Sequence, residues 1–234
     1  MQPVIWARSL RKCYQMGDVQ IEPLKGIDLE LFSGELVVVL GPSGSGKTTL
    51  LNIIGGMDQA TSGELYYQGQ ALHRADARQL TLYRRNQVGF VFQFYNLIPN
   101  LTAYENIDLA AQIAKNPLSI EDLLEKVGLR ERAEHFPSQL SGGEQQRVAI
   151  ARALVKNPEM ILCDEPTGAL DFQTSIQVLQ LLKDSCQFYG KTVVIITHNT
   201  AIARIAHRIF YLKDGVIDQV ENNDCPIPPG EVRW

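Results

Sequence analysis

The chain has 234 residues, of which 45% are hydrophobic and 21% charged, and its formal net charge is −4. This composition is ordinary for a globular protein with a sizeable core. The acidic balance weighs against nucleic acid as a partner, because nucleic-acid binders usually carry a basic surplus or stripe. The spacing of the four cysteines indicates neither a disulfide framework nor a zinc site. No apolar run approaches the ~18 residues that span a bilayer, so we expect a cytoplasmic protein that reaches a membrane only through a partner.

The amino-terminal part of the chain is predicted to be mainly β-structure up to a glycine-rich loop and a short helix. Alternating or continuous apolar residues, bounded by glycine-containing turns, are typical of strands. The predicted strands cover residues 4–7, 27–31, 36–40, 62–69 and 88–93.

After Gln93 the pattern becomes helical, and residues 94–157 are predicted to form an inserted helical lobe. Its predicted helices cover residues 102–114, 119–132 and 146–154. Two near-continuous apolar runs, 160–163 and 192–197, then predict buried parallel strands on either side of a helix over 172–188. A hairpin over 210–217 follows, and the proline-containing tail, 221–234, is expected to be loosely held.

The most specific motif is the stretch from Gly41 to Thr48, which matches G-x-x-x-x-G-K-[ST] at every defined position. It follows a predicted strand and opens a helix, the context in which backbone N–H groups and a helix dipole converge on phosphate. Lys47 would reach the β- and γ-phosphates, and the Thr48 hydroxyl would bind Mg²⁺. A plain Gly/Ser-rich turn is the alternative, but it does not explain Lys-Thr in register after the last glycine. The motif predicts a nucleoside triphosphate site.

A second motif is the acidic pair at the end of the 160–163 strand. Ligands of open α/β sheets bind at the carboxyl ends of strands. Asp164 would hold Mg²⁺ together with Thr48, and Glu165 could act as general base on the attacking water. The alternative, a strand that ends in a solvated acidic turn, loses weight because a phosphate loop precedes it.

A third motif is Leu140 to Gln145, in which Ser141 and Glu144 form a predicted capping box. An ordinary capped helix explains those two residues. It does not explain Gly142 and Gly143, which weaken a helix start and offer no evident packing gain. Accessible N–H groups at this start predict a second anion-binding helix end.

The stretch from Leu140 to Gln145 resembles the signature motif of ATP-binding cassette (ABC) ATPases. Further positions match that family in order: Tyr14 (adenine stacking), Gln93 (Q-loop), Asp164 and Glu165 (Walker B), residues 169–171 (D-loop) and His198 (switch histidine).

The resemblance covers nearly the whole chain and implies an α/β P-loop NTPase cassette. It implies one domain over 1–234, with an antiparallel β-subdomain and phosphate-loop core (1–93), a helical subdomain (94–157) and the remaining RecA-like core sheet (158–220). The implied cofactors are ATP and Mg²⁺, the implied metal residues Thr48, Gln93 and Asp164, and the implied catalytic residues Glu165, His198 and Gln93. The implied ATP contacts are Tyr14, Gly41, Ser43, Gly44, Ser45, Gly46, Lys47, Thr48, Thr49, Ser141, Gly142, Gly143 and Glu144.

The resemblance also implies partners. Two cassettes, identical or paralogous, would pack head-to-tail around two ATP molecules and drive a transmembrane permease at the inner face of the cell membrane. The stretch 92–106 resembles the lipoprotein-release and macrolide-efflux ATPases, whose permeases have few helices. Related cell-division ATPases share it, so a regulator of cell division or an ATPase of a cytosolic assembly complex stays open as the alternative. DNA-repair and translation ABC ATPases are disfavoured, because the chain has neither room for a coiled coil nor a second cassette.

Overall fold

The computed structural model describes residues 2–233 and contains two sheets and a group of helices. One sheet is antiparallel, with the strands β1 (Ile5–Met16), β2 (Val19–Leu31), β4 (Ser62–Tyr67) and β5 (Gln70–Ala71) in the order β2-β1-β4-β5. It corresponds to the antiparallel β-subdomain that the family resemblance implies.

The second sheet carries the parallel strands. Its members are β3 (Leu36–Leu40), β6 (Val88–Val91), β7 (Met160–Asp164), β8 (Thr192–Thr197), β9 (Arg208–Lys213) and β10 (Val216–Asn222). The order is β10-β9-β3-β8-β7-β6, in which only β10 pairs antiparallel. All residues of β3 and β8 are buried, as expected for parallel strands covered on both faces. The carboxyl ends of β3, β8, β7 and β6 therefore lie side by side at one edge.

The helices pack around this second sheet. They are α1 (Lys47–Ile54), α2 (Ala77–Gln87), α3 (Ala103–Ala111), α4 (Ile120–Lys126), α5 (Gly142–Val155) and α6 (Phe172–Tyr189), with 3-10 turns at 72–74, 130–132, 137–139, 200–205 and 229–231. Because successive side chains of a strand point to opposite faces, β3 divides the core. Val37 and Val39 pack toward the antiparallel sheet and α1, whereas Leu36, Val38 and Leu40 pack toward α3 to α6. Within residues 2–233, no helix is both long and apolar enough to cross a membrane.

The helices differ most from the sequence-based expectation at α2 and α4, and α3 is three residues shorter at its end than the predicted 102–114. The helix α2 was not predicted, because only Leu80 and Tyr83 of its eleven residues are buried. A capping box between Asp76 and Gln79 starts it instead. The helix predicted over 119–132 ends early, since α4 stops at Lys126 and Gly128 adopts a left-handed φ of 67°.

The expectation of a loosely held tail over 221–234 is wrong for its described residues. Strand β10 continues to Asn222, and the Lys183 ammonium donates to the Ile227 carbonyl at 2.8 Å. Val232 is only 1% exposed and belongs to the core against the helices. Prolines at 226, 228 and 229 suggested a loop, but these tertiary contacts hold it in place.

Candidate functional site

A cavity of about 540 Å³ opens at the edge where the parallel strands end. It brings together predicted residues that are far apart in the sequence. Its lining comprises Tyr14, Ile21, Pro23, Ser43, Gly44, Gly46, Lys47, Thr48, Thr49, Gln93, Asp164, Glu165 and His198. Ile21 and Pro23 were not predicted, because nothing in their local pattern links them to the phosphate loop.

Glycine is needed at three positions of the phosphate loop, for different physical reasons. A Cβ at Gly41 would lie 2.2 Å from the Leu212 carbonyl oxygen, and one at Gly46 would lie 2.3 Å from the Pro23 carbonyl oxygen. Close packing against neighbouring backbone therefore requires these two glycines. Gly44 has open space around its Cα but a φ of 80°, which other residues rarely adopt.

The loop presents cationic and hydroxyl groups to the cavity. The Lys47 ammonium donates to the carbonyl oxygens of Gly41 (2.8 Å) and Pro42 (2.9 Å), which leaves one of its three N–H donors. Burial lowers the pKa of Lys47, and the charges of Glu165 and Asp164 oppose that shift. The buried Ser45 hydroxyl oxygen has no hydrogen-bond partner among the described residues. Ser45 does not line the cavity, so the phosphate donor on this side of the loop is the remaining N–H of Lys47, and phosphate oxygens accept from such a group.

Asp164 and Thr48 form the part of the site that would suit a divalent cation. Burial raises the pKa of Asp164, as does the neighbouring Glu165, whereas a hydrogen bond from the Thr48 hydroxyl lowers it. A carboxylate and a hydroxyl oxygen in contact are hard oxygen ligands of the kind Mg²⁺ prefers. Thus both side chains fit Mg²⁺ in company with phosphate oxygens.

The Glu165 carboxylate is held in place by the neighbouring strand β8 and the residue after it. One oxygen, Oε2, accepts from the Thr197 hydroxyl at 2.8 Å. The other, Oε1, accepts from the His198 backbone N–H at 3.0 Å and lies 2.9 Å from His198 Nδ1. Glu165 also has a φ of 45°, a left-handed conformation that is uncommon for a residue with a side chain. Its position is therefore fixed by both backbone and side-chain contacts.

The residues 141–144 lie outside this cavity, at the start of α5. The predicted capping box is confirmed: the Ser141 hydroxyl accepts from Glu144 N at 3.3 Å, and the Glu144 carboxylate accepts from Ser141 N at 2.7 Å. The hydrogen bond from the Ser141 backbone N–H lowers the pKa of the Glu144 carboxyl, as do the charges of Arg132 and Arg147.

The prediction that Gly142 and Gly143 bring no packing gain is wrong. A Cβ at Gly143 would lie 2.1 Å from the Thr174 methyl carbon, and one at Gly142 would lie 2.8 Å from the Tyr95 hydroxyl. Both glycines let α5 approach its neighbours closely. The sequence holds no sign of this, since Tyr95 and Thr174 are distant in the chain.

The same helix is fastened to the segment that follows Gln93. The Arg152 guanidinium donates to the carbonyl oxygens of Tyr95 (2.7 Å) and Asn96 (2.6 Å). Both acceptor residues are left-handed, with φ of 59° and 51°. Arg152 is a residue that sequence reasoning missed, because its partners are backbone atoms.

Comparison with known proteins agrees with the geometry. The sequence model of the ABC transporter family matches residues 24–168. The chain is 48% identical to the ABC transporter ATP-binding protein MJ0796 of Methanocaldococcus jannaschii, over 93% of this chain and 97% of that protein. It is also 48% identical to an ABC transporter ATP-binding protein of Mycoplasma pneumoniae and 44% identical to the macrolide export ATP-binding/permease protein MacB of Escherichia coli. These two matches include 99% and 93% of this chain, but only 50% and 34% of the relatives' own lengths.

Solved structures give the same result. The dimeric structure of MJ0796 in a post-hydrolysis state, bound to ADP and Pi, superposes with a TM-score of 0.86 at 45% identity. That match covers 93% of this chain and 98% of that one. The chain belongs to the ABC transporter family, in which it is an ATP-binding subunit and an ATP hydrolase.

Proposed function

We propose that this cassette works as a dimer in which each ATP lies between the phosphate loop of one subunit and residues 141–144 of the other. The observation that carries this proposal is the separation of the two predicted binding elements. Lys47, Asp164 and Glu165 line one cavity, whereas the start of α5 lies outside it with Ser141 exposed. A two-fold axis would bring the missing element to each cavity from the partner. The relative MJ0796 is dimeric in its solved structures, which supports the same arrangement here.

Within each site, the chain's own residues have distinct roles. Lys47 and the N–H groups around α1 bind the β- and γ-phosphates. Thr48, Asp164 and Gln93 would hold Mg²⁺, which would neutralise the charge that develops on the phosphates. Glu165 accepts a proton from the attacking water, and its fixed carboxylate supports that role. His198 contacts Glu165 and lines the cavity, a position suited to contact with the γ-phosphate.

We further propose that the subunit drives a membrane permease of few helices, from the cytoplasmic face of the cell membrane. Large apolar side chains are exposed on the segment after Gln93 and on the nearby α3 region, namely Phe94, Ile98, Leu109 and Ile113. Phe94 is 76% exposed, a large fraction for an aromatic side chain, and exposed apolar patches mark interaction sites. The relative MacB carries a permease in its own chain, as its name states. The transport process that the subunit would drive is the release of lipoprotein or lipid, or efflux.

The dimer proposal is tested by light scattering of Glu165→Gln protein with MgATP. We expect the molecular mass to double on ATP addition and to return to the monomer value without it. The control is a Glu165→Gln/Lys47→Ala protein, in which ATP should leave the mass unchanged. A monomer that persists at saturating ATP would contradict the proposal.

The permease proposal is tested separately, by co-purification from membranes. We expect the wild-type cassette to bring down a membrane protein encoded nearby, and a Phe94→Asp protein to lose it while keeping its ATPase activity. Recovery of only soluble assembly or division proteins would instead favour the alternative role.

A further inference from the structure

Two residues that no motif contains, Lys12 and Asp58, surround the predicted adenine-stacking residue. The Tyr14 hydroxyl donates to Asp58 Oδ2 at 2.6 Å, and the Lys12 ammonium donates to Asp58 Oδ1 at 2.6 Å. Lys12 Nζ also lies 4.7 Å from the centre of the Tyr14 ring. The tyrosine is therefore held at its hydroxyl by a carboxylate and on one face by a cation.

The two charged residues are themselves fixed. Lys12 Nζ donates to the Gln59 carbonyl at 2.7 Å, and Asp58 Oδ1 accepts from Gln59 N at 2.7 Å. The Lys12 side chain is 12% exposed and that of Asp58 is 30% exposed. Because the pair is partly shielded from water and has backbone partners, it is more rigid than a surface ion pair.

Of the three side chains in this cluster, only that of Tyr14 lines the cavity. Tyr14 lines the cavity together with Ile21 and Pro23, whereas Lys12 and Asp58 do not. Because Lys12 lies over one ring face and does not line the cavity, a flat ligand would stack on the opposite face. A ring held before the ligand arrives loses less side-chain entropy on binding than a free one.

We propose that Lys12 and Asp58 are positioning residues that hold Tyr14 in the orientation in which it stacks on the nucleotide base. This inference rests on the proposed role of Tyr14 in base stacking. It predicts that the pair contributes to nucleotide affinity only through the base, and not through the phosphates.

The test is calorimetric titration of the full chain with MgADP and with magnesium pyrophosphate, which lacks the base. We expect Asp58→Ala to weaken MgADP binding by about 3- to 10-fold, the scale of a lost hydrogen bond and its orientation effect. Pyrophosphate affinity should change by less than about twofold, which also verifies that the phosphate loop is folded. Tyr14→Phe, which keeps the ring and removes the hydroxyl, should fall between wild type and Asp58→Ala.

A matched control lies elsewhere in the same sheet. Arg8 lies 5.4 Å from the centre of the Trp6 ring and pairs with Glu30 at 3.0 Å, a similar arrangement that does not line the cavity. Glu30→Ala should leave both affinities unchanged.

The double variant Tyr14→Ala/Asp58→Ala separates the inference from the role of Tyr14. If the inference holds, Asp58→Ala has no further effect once Tyr14 is alanine. The inference is overturned if Asp58→Ala binds MgADP as tightly as wild type, or if it loses affinity for pyrophosphate by the same factor as for MgADP. Either result counts even if Tyr14→Ala lowers the affinity for MgADP. If Tyr14→Ala leaves MgADP affinity unchanged, the stacking role fails and the inference fails with it.

Discussion

The starts of α1 and α5 are both helix N-termini placed beside functional motifs, but they differ in how their N–H groups are satisfied. At α1 the N-cap is Gly46, which has no side chain, and the first turn has no acidic residue. At α5 the hydroxyl of Ser141 caps Glu144 N, and the Glu144 carboxylate adds a negative charge. The start of α1 is thus left open to an anion, whereas the start of α5 is already capped by its own side chains.

This difference between the two helix starts indicates which of them can bind phosphate within one chain. The α1 region, with Lys47 and its uncapped helix start, can bind phosphate within one chain. The start of α5 already has an internal carboxylate, so in the proposed dimer it would contribute as a preformed surface presented to the second subunit. Substitutions in the cavity should therefore change the chemical step, and substitutions along α5 should change stability and assembly.

The largest expected effect is at Glu165, in the cavity. Glu165→Gln should slow ATP hydrolysis by at least ~100-fold, the scale of a lost general base, while ATP binding is preserved. Phosphate release and nucleotide titration measure the two quantities. Glu159→Gln, just before the amino end of β7, is the control and should hydrolyse ATP normally. Turnover unchanged in Glu165→Gln would remove that residue from the catalytic role.

The next effect concerns Gly143, at the start of α5. Gly143→Ala places a methyl group against the Thr174 methyl, and we expect a loss of about 1–3 kcal/mol in the free energy of unfolding from overpacking. Urea denaturation measures it. Thr174→Ser removes the obstructing methyl but keeps the hydroxyl that donates to Asp171, so the double variant should recover stability. A double variant as unstable as Gly143→Ala would show that the clash is not the cause.

A smaller effect is expected at Arg152, farther along α5. Arg152→Ala leaves the carbonyl oxygens of Tyr95 and Asn96 without their donor, at a cost of about 1–2 kcal/mol in unfolding free energy. The ATP-induced dimerisation of the Glu165→Gln protein should weaken too, since the segment after Gln93 loses its attachment to α5. Arg130→Ala is the control, because that side chain is 78% exposed and its ion pair to Glu125 is long, at 3.6 Å. Equal effects in both variants would argue against a specific contact.

The smallest expected effect is on the pH dependence of folding stability, and it arises from Lys156, just beyond the end of α5. Lys156 is half-buried and donates to the carbonyl oxygens of Arg84 and Val88; burial, together with Arg152, lowers its pKa to about 8. Between that pKa and the ordinary value near 10.5, the unfolded chain binds a proton that the folded chain has lost, so stability rises with pH.

From about pH 7 to about pH 9, the wild type should gain about 1 kcal/mol relative to Lys156→Met. Thermal unfolding at a series of pH values measures this difference. Parallel pH profiles for the two proteins would show that the pKa of Lys156 is not lowered by folding.

Local pattern was sufficient wherever function depends on short spacing. The phosphate loop, the acidic pair at the end of β7 and the capping box of α5 are each contained within eight residues. The first two each follow a predicted strand, and ligands of such sheets bind at the carboxyl ends of the strands. The helix α2 was missed because its capping box, not an apolar face, defines it.

The sequence by itself determined that this protein binds a nucleoside triphosphate, since the loop from Gly41 to Thr48 carries its glycines and its charge within eight residues. Only the tertiary structure decided how that loop is supported. Gly41 and Gly143 are glycines because backbone or side-chain atoms from distant segments approach them, and Asp58 and Arg152 act on partners 44 or more residues away. Such contacts arise from the packing of whole elements, and no local pattern records which atoms that packing brings together.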